Sequence, residues 1–71
     1  MKVGDKVKVV RIDNYTRRCL EAQNIPLPIG KVGIVQQIEY NPNMHQTEIT
    51  VDHQGDLYIW EEWNLALVAK Q

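Results

Sequence analysis

Lysines alternate with β-branched residues in the segment Asp5-Lys6-Val7-Lys8-Val9-Val10-Arg11-Ile12. A period of two residues is typical of a β-strand that has one face in the core and the other in water. We therefore expect Val7 and Val9 to point into the core of a first strand. Lys6 and Lys8 should then face solvent.

Four further segments have strand character, and turn-forming residues separate them. The predicted strands span 30–40, 47–52, 57–60 and 65–69, with turns at 41–46 and 53–56 and one 3₁₀ turn at 61–64. Gly33 suits a tight bend or a bulge where the backbone of another strand comes close. Ile49 and Val51 are expected inside, and Gly55 is expected to supply a positive φ angle in its hairpin turn.

The long first connection begins with residues 13–24, which break the two-residue pattern. Asn14 is in position to cap a short helix over residues 15–23. A helix of one or two turns is marginal, so a long ordered loop is the alternative. The residues available to pack from this segment are Cys19, Leu20 and Ala22.

An apolar connector completes this connection with the sequence Ile25-Pro26-Leu27-Pro28-Ile29. Each proline lacks an amide donor and holds its predecessor in an extended conformation, so the connector cannot continue a helix. SH3-like domains have five short strands, a long first connection and a 3₁₀ turn before the last strand, and the predicted elements follow this order. We therefore predict one all-β domain over residues 1–71, a small five-stranded SH3-like barrel whose closure removes the sheet edges.

The composition is that of an ordinary globular domain, with 44% hydrophobic and 24% charged residues. No apolar run approaches the roughly 20 residues needed to cross a bilayer, and the first residues do not resemble a secretory signal. The lone Cys19 cannot form a disulfide within its own chain. These features predict a cytoplasmic protein, either free or peripheral on a membrane complex.

The net charge of −1 hides an asymmetry between the two halves of the chain. Residues 1–35 carry seven Lys and Arg against three Asp and Glu, whereas residues 36–71 carry one against six. The halves either pair across the barrel or leave a basic face that steers an acidic protein partner. Pairing is the favoured interpretation. Nucleic acid is disfavoured because phosphate binding normally requires a clear basic excess.

Two surfaces are candidate partner-binding sites. The first is the basic first loop, with Arg11, Arg17 and Arg18. The second is the aromatic segment, with Tyr58, Trp60 and Trp63. Both faces of the fourth strand carry large side chains, and only one face can point into a small barrel. In one arrangement Leu57 and Ile59 are inside, and the aromatic residues form an outer patch. In the other, Tyr58 and Trp60 cover the core, and Leu57 and Ile59 lie under the long first connection, residues 13–29.

We predict no catalytic site, metal or cofactor. Cys19 follows two arginines, but a nucleophile also needs a positioned base, and the only histidines, His45 and His53, lie in predicted turns elsewhere. Asp52 and His53 are adjacent at a strand end and diverge, so they do not form a metal site with His45. The glycines lack the Gly-Lys-Ser/Thr continuation of a phosphate-binding loop.

Several short motifs resemble the SH3-like barrels of photosynthetic electron-transport accessory proteins. The motifs are Gly4-Asp5-Lys6-Val7-Lys8-Val9-Val10-Arg11, Gly30-x-x-Gly33-x-Val35, Ile49-x-Val51-Asp52 and Asn64-Leu65-Ala66-Leu67-Val68. This class includes the PsaE subunit of photosystem I and the variable chain of ferredoxin–thioredoxin reductase. The long first loop, from Val9 to Gln23, is similar to that of the small O subunit of the photosynthetic NAD(P)H dehydrogenase-like complex.

The resemblance implies a cofactor-free subunit that docks on a larger redox complex, and it assigns no role to any individual residue. The predicted function is therefore a non-enzymatic accessory module of electron transport or another assembly, with a protein partner. The same motifs occur in KOW-type ribosomal and transcription-factor domains, so an RNA- or ribosome-binding module is the first alternative. A bacterial SH3-like domain of another role is the second. The oligomeric state stays open.

Overall fold

The computed structural model describes residues 1–68. Its elements are β1 (Lys6–Val9), α1 (Asn14–Ala22), β2 (Val32–Asn41), β3 (Gln46–His53), β4 (Asp56–Glu61), a 3₁₀ turn (Glu62–Asn64) and β5 (Leu65–Leu67). The strands form one antiparallel sheet in the spatial order β4-β3-β2-β1-β5. The predicted fold class, a small five-stranded all-β fold of SH3-like order, is confirmed. The predicted end of the fifth strand at residue 69 lies outside the described residues.

The core follows from the two-residue pattern in β1 and β3. Val7 and Val9 are fully buried, as predicted, and the lysines between them are exposed. Ile49 and Val51 are buried from β3, which confirms their predicted direction. Each fully buried Val or Ile contributes about 1.5–3 kcal/mol relative to an exposed one. The complete buried apolar cluster is Val7, Val9, Ile12, Val35, Ile49, Val51 and Leu65.

Strand β2 joins the two parts of the sheet, because its first three residues pair with β1 and residues 34–41 pair with β3. The close approach predicted at Gly33 is confirmed, since a Cβ atom there would lie 2.6 Å from the carbonyl oxygen of Asp52. The bulge lies further along the strand, between Val35 and Gln37. A glycine is therefore required for contact with β3, and the bulge is a separate feature.

Helix α1 forms, so the alternative of a loop without a helix is wrong. The capping residue is Asp13 and not the predicted Asn14, because the Asp13 carboxylate accepts hydrogen bonds from the Thr16 hydroxyl and, at 3.2 Å, from the Thr16 amide. These bonds, the hydroxyl first, lower the pKa of Asp13. Leu20 packs against the core, whereas Ala22 is exposed. The helix has nine residues, and in the described chain no helix is long and apolar enough to cross a membrane.

The apolar connector lies on the core as predicted, through Leu27. The expected closure of the sheet edges is not made by backbone pairing. Within residues 1–68, β4 pairs only with β3 and β5 pairs only with β1. The 3₁₀ turn links these two edges. Among the described strands, β4 therefore has one edge without a paired neighbour.

Candidate functional site

The register between β3 and β4 decides which face of β4 points inward. Trp60 lies opposite Ile49, and Tyr58 lies opposite Val51. Directly opposed residues share a face of the sheet, so the two aromatic side chains are on the core side. The arrangement with Leu57 and Ile59 inside is therefore wrong.

The other predicted arrangement, with Tyr58 and Trp60 covering the core, is correct for these two aromatic residues but not for Leu57 and Ile59. Trp60 is half-buried and packs against the core, while Tyr58 is partly exposed beside it. Leu57 and Ile59 are 63% and 64% exposed, so they do not lie under residues 13–29. The connector instead lies next to Tyr58 and Trp60, where it helps to form a cavity.

A cleft separates α1 and the connector from β4 and the 3₁₀ turn. Its apolar half has a volume of about 580 Å³, and its polar half has a volume of about 640 Å³. Both halves are lined by Thr16 and Trp60, so they adjoin and form one surface feature, called here the aromatic cleft. The apolar half is lined by Leu20, Ile25, Pro26, Leu27, Pro28, Lys31 and Tyr58 in addition to those two residues.

A buried histidine holds Trp60 in place. The Trp60 indole N–H donates to Nε2 of His53 at 3.0 Å. His53 Nδ1 lies 3.0 Å from the carbonyl oxygen of Val32, which can only accept a hydrogen bond. His53 is therefore the neutral tautomer with its proton on Nδ1. The floor of the aromatic cleft is fixed by this chain of two hydrogen bonds.

The interpretation of His53 as a turn residue is wrong. It is the last residue of β3, is only 5% exposed, and lies on the inward face that also carries Ile49 and Val51. The two-residue spacing of these three residues was the sequence signal that could have identified it. The turn itself consists of Gln54 and Gly55, both with positive φ angles, which confirms the role predicted for Gly55.

The polar half of the aromatic cleft is built around Asn64. The Asn64 side-chain amide donates to the carbonyl oxygen of Arg11 at 2.9 Å, and its side-chain oxygen accepts from the Glu61 amide at 2.9 Å. The first bond ties the 3₁₀ turn to the chain that follows β1, and the second closes the turn itself. Trp63 stands on this turn, is partly exposed, and donates its indole N–H to the Glu61 carboxylate.

The structure brings together only part of the predicted binding residues. Tyr58, Trp60 and Trp63 all line the aromatic cleft or its polar end. Arg17 and Arg18 are exposed on α1, the helix that supplies Thr16 and Leu20 to the cleft wall, and Arg11 is exposed just before that helix. The cation inside the cleft is Lys31, whose ammonium lies 5.2 Å from the centre of the Tyr58 ring.

Sequence reasoning missed the apolar wall of the cleft. Leu20 and the connector prolines come from a segment that lies about thirty or more residues before Trp60 in the chain. Their contact depends on how the first connection folds over the sheet, and a local pattern carries no information about that.

The residues considered for chemistry do not converge. His53 uses both ring nitrogens in the contacts above, and His45 is exposed in the turn after β2. Cys19 is a half-buried free thiol on α1. Over the described range, no group of three His, Cys, Asp or Glu side chains is placed to hold a metal ion.

Comparison with known proteins identified no relative. No family model matches the sequence, and neither the curated proteins nor the solved structures gave a match. The resemblance to photosynthetic accessory proteins therefore stays a prediction from the motifs.

Proposed function

We propose that this chain is a non-catalytic protein-recognition module that binds an apolar, acidic segment of a partner protein in the aromatic cleft. The observation that carries the proposal is the apolar half of that cleft, an open surface with a fixed tryptophan as its floor. Concave apolar surfaces with a few placed polar groups are the usual form of binding sites.

The rigidity of Trp60 supports a binding role. Aromatic side chains are frequent interface hot spots, and losing one costs about 2 kcal/mol or more of binding energy. Because His53 already holds the indole in one orientation, the cleft loses little side-chain entropy when a partner binds. A side chain needed only for packing into the core would not require an open, apolar cavity beside it.

The charges near the apolar half of the cleft support an acidic partner there, whereas Asp13, Glu48 and Glu61 line the polar half. Lys31 lines the apolar half, and Arg17 and Arg18 are exposed on the helix that forms its wall. Exposed cations of this kind accelerate association with an acidic partner and contribute less to the final affinity. That the partner belongs to a photosynthetic or other redox complex rests on the motif resemblance alone.

Paired aromatic variants test this proposal. A partner isolated from the source organism would be titrated against the purified protein and against Tyr58→Ser, with Tyr15→Ser as the matched control. Tyr58 lines the cleft, whereas Tyr15 is 77% exposed on α1. We expect Tyr58→Ser to weaken binding by about tenfold or more and Tyr15→Ser to change it by less than about twofold. Equal affinities for both variants would overturn the proposal.

A charge-reversal variant tests the electrostatic component. Arg17→Glu with Arg18→Glu should slow association by about tenfold at low salt while leaving dissociation nearly unchanged. The difference from the parent should shrink as salt is added, because exposed charges are screened. An unchanged association rate would show that Arg17 and Arg18 do not contribute to partner binding.

An RNA titration separates this proposal from the KOW-like alternative. We expect no complex with single-stranded or structured RNA below about 1 µM at physiological salt, because such binding requires several phosphate contacts. A tighter complex that weakens steeply with salt would assign the protein to the RNA-binding class.

A further inference from the structure

Strand β4 combines a free edge with an exposed apolar face. Within residues 1–68 it pairs on one side only, with β3. On the face away from the core, Leu57 and Ile59 are 63% and 64% exposed. Leu57 lies outside the aromatic cleft, whereas Ile59 also lines its polar half. The inference below concerns the backbone edge of β4 and does not rest on the proposed function.

The edge of β4 lacks the usual protection against pairing. Edge strands are normally blocked by lysine, proline or a β-bulge. The sequence Asp56-Leu57-Tyr58-Ile59-Trp60-Glu61 contains no lysine or proline, and its register with β3 is uninterrupted over all six residues. Three of its four central residues, Tyr58, Ile59 and Trp60, have high β-propensity. The backbone groups along this edge are therefore available to a further strand.

The charges around the edge select the kind of strand that fits. Asp56 and Glu61 occupy the two ends of β4. On β3, Asp52 lies opposite Leu57, and Glu48 lies opposite Glu61. Acidic groups therefore bracket an apolar centre, which is complementary to an extended segment with apolar residues in the middle and cations at its ends.

We infer that the edge of β4 accepts an extended, cationic segment of a partner protein as a sixth strand. Main-chain hydrogen bonds to β4 would supply the affinity, and alternate apolar side chains would pack on Leu57 and Ile59. Lysine or arginine at the ends of the segment would face Asp56 and Glu61. A second copy of this chain is a poorer occupant, because its own β4 brings two more acidic ends and no cation.

A model peptide tests the inference directly. The probe is a seven-residue peptide with valine and threonine alternating in the centre and lysine at both ends. Bound to the full chain, it should slow amide exchange by about tenfold or more at alternate residues of β4. The same peptide with glutamate ends should bind about tenfold more weakly.

Backbone methylation of the peptide identifies the mode of binding. Two peptides would be N-methylated on alternate residues, one on the odd and the other on the even positions. Only one set of amides in an added strand faces β4, so one peptide should keep its affinity and the other should lose about tenfold or more. Equal affinities for the two methylated peptides would overturn the inference.

Surface variants locate the binding site. Leu57→Lys, at a position outside the aromatic cleft, should abolish peptide binding. Val3→Lys, at an apolar position that is 61% exposed outside the sheet, should leave it unchanged. Ile25→Ser alters only the aromatic cleft and should also leave it unchanged. If the chain instead forms a concentration-dependent dimer that protects β4 without peptide, the occupant is a second copy and the inference is wrong. Unprotected β4 amides at saturating peptide would overturn it as well.

Discussion

A single buried histidine links the core of this protein to its candidate binding surface. His53 donates to Val32 with one ring nitrogen and accepts from Trp60 with the other. Its position at the inward end of β3 determines both contacts, because the next strand returns Trp60 to the same face. One residue therefore controls the orientation of the side chain that forms the floor of the aromatic cleft.

The substitution Trp60→Phe should destabilise the protein by about 1–3 kcal/mol, because it leaves the buried Nε2 of His53 without a hydrogen-bond donor. Urea unfolding measures this difference. The matched control is Trp63→Phe, whose indole N–H donates to an exposed carboxylate, and we expect a change below about 0.5 kcal/mol. A similar loss in both variants would show that ring size, and not the histidine contact, matters.

The tautomer of His53 is a separate prediction. Long-range proton–nitrogen NMR spectra should show the proton on Nδ1 of His53, since Nε2 accepts from Trp60. His45 is exposed and provides the internal reference for a ring without these contacts. A proton on Nε2 of His53 at neutral pH would contradict the hydrogen-bond assignment.

At the scale of the elements, most of the architecture follows from local pattern. Alternation in β1 and β3 predicted their buried residues, and the short acidic segment before β5 predicted a 3₁₀ turn. The helix cap was displaced by one residue because Asp13 and Asn14 are equally good caps, and the choice depends on where the chain leaves β1. Such choices are made by tertiary contacts, which a local pattern does not contain.

Strand β4 shows why part of the candidate site could not be predicted from the sequence. All four of its central residues are large and apolar, so alternation cannot tell the inner face from the outer one. The register with β3 decides it, and this register depends on the two-residue turn at Gln54 and Gly55. The sequence identified the segment Tyr58–Trp63 as a candidate binding surface, but it did not identify the opposite wall of the cleft, which Leu20 and the connector form.

The stability of α1 should depend on pH through Asp13. Hydrogen bonds from Thr16 lower the pKa of this carboxyl below its ordinary value of 3.8. The unfolded state then binds a proton at a higher pH than the folded state, so the stabilisation is complete above pH 3.8 and is lost as the pH falls through the lowered value. The amide shift of Thr16, followed by NMR during acid titration, measures the midpoint.

Two variants define the cause of this pH dependence. Asp13→Asn keeps a capping acceptor but cannot titrate, so the helix should lose the acid transition while still forming. Thr16→Val removes the hydroxyl, the largest cause of the lowered pKa, and should move the midpoint back toward 3.8. A midpoint that does not move in Thr16→Val would contradict the assigned hydrogen bond.

At the scale of the whole molecule, three glutamates from the acidic second half of the sequence form a row across neighbouring strands of the sheet. Glu39 lies opposite Glu48, and Glu48 lies opposite Glu61 on the next strand. Like charges directly opposed on neighbouring strands are destabilising. Separate hydrogen bonds hold the last two apart, with Asn41 donating to Glu48 and Trp63 donating to Glu61.

Neutralising the centre of this row should stabilise the protein. Glu48→Gln keeps an acceptor for Asn41 and removes the one charge that is opposed to two others, so we expect a gain of about 0.2–1 kcal/mol in unfolding free energy. Thermal or urea unfolding measures the gain, which should shrink in high salt. Glu62→Gln, exposed on the 3₁₀ turn, is the control and should change stability by less than about 0.5 kcal/mol. A loss of stability in Glu48→Gln would show that the row holds the strands together.

The side chain of Asn64 bonds to the carbonyl oxygen of Arg11, 53 residues earlier, and β5 lies beside β1. The hydrophobic cluster gains Leu65 only when this last strand is in place. During synthesis, the first strand must therefore wait without its second neighbour until residues 65–67 have emerged from the ribosome. Folding of this protein is in consequence a late, concerted event, and a nascent chain halted after residue 60 should remain sensitive to protease.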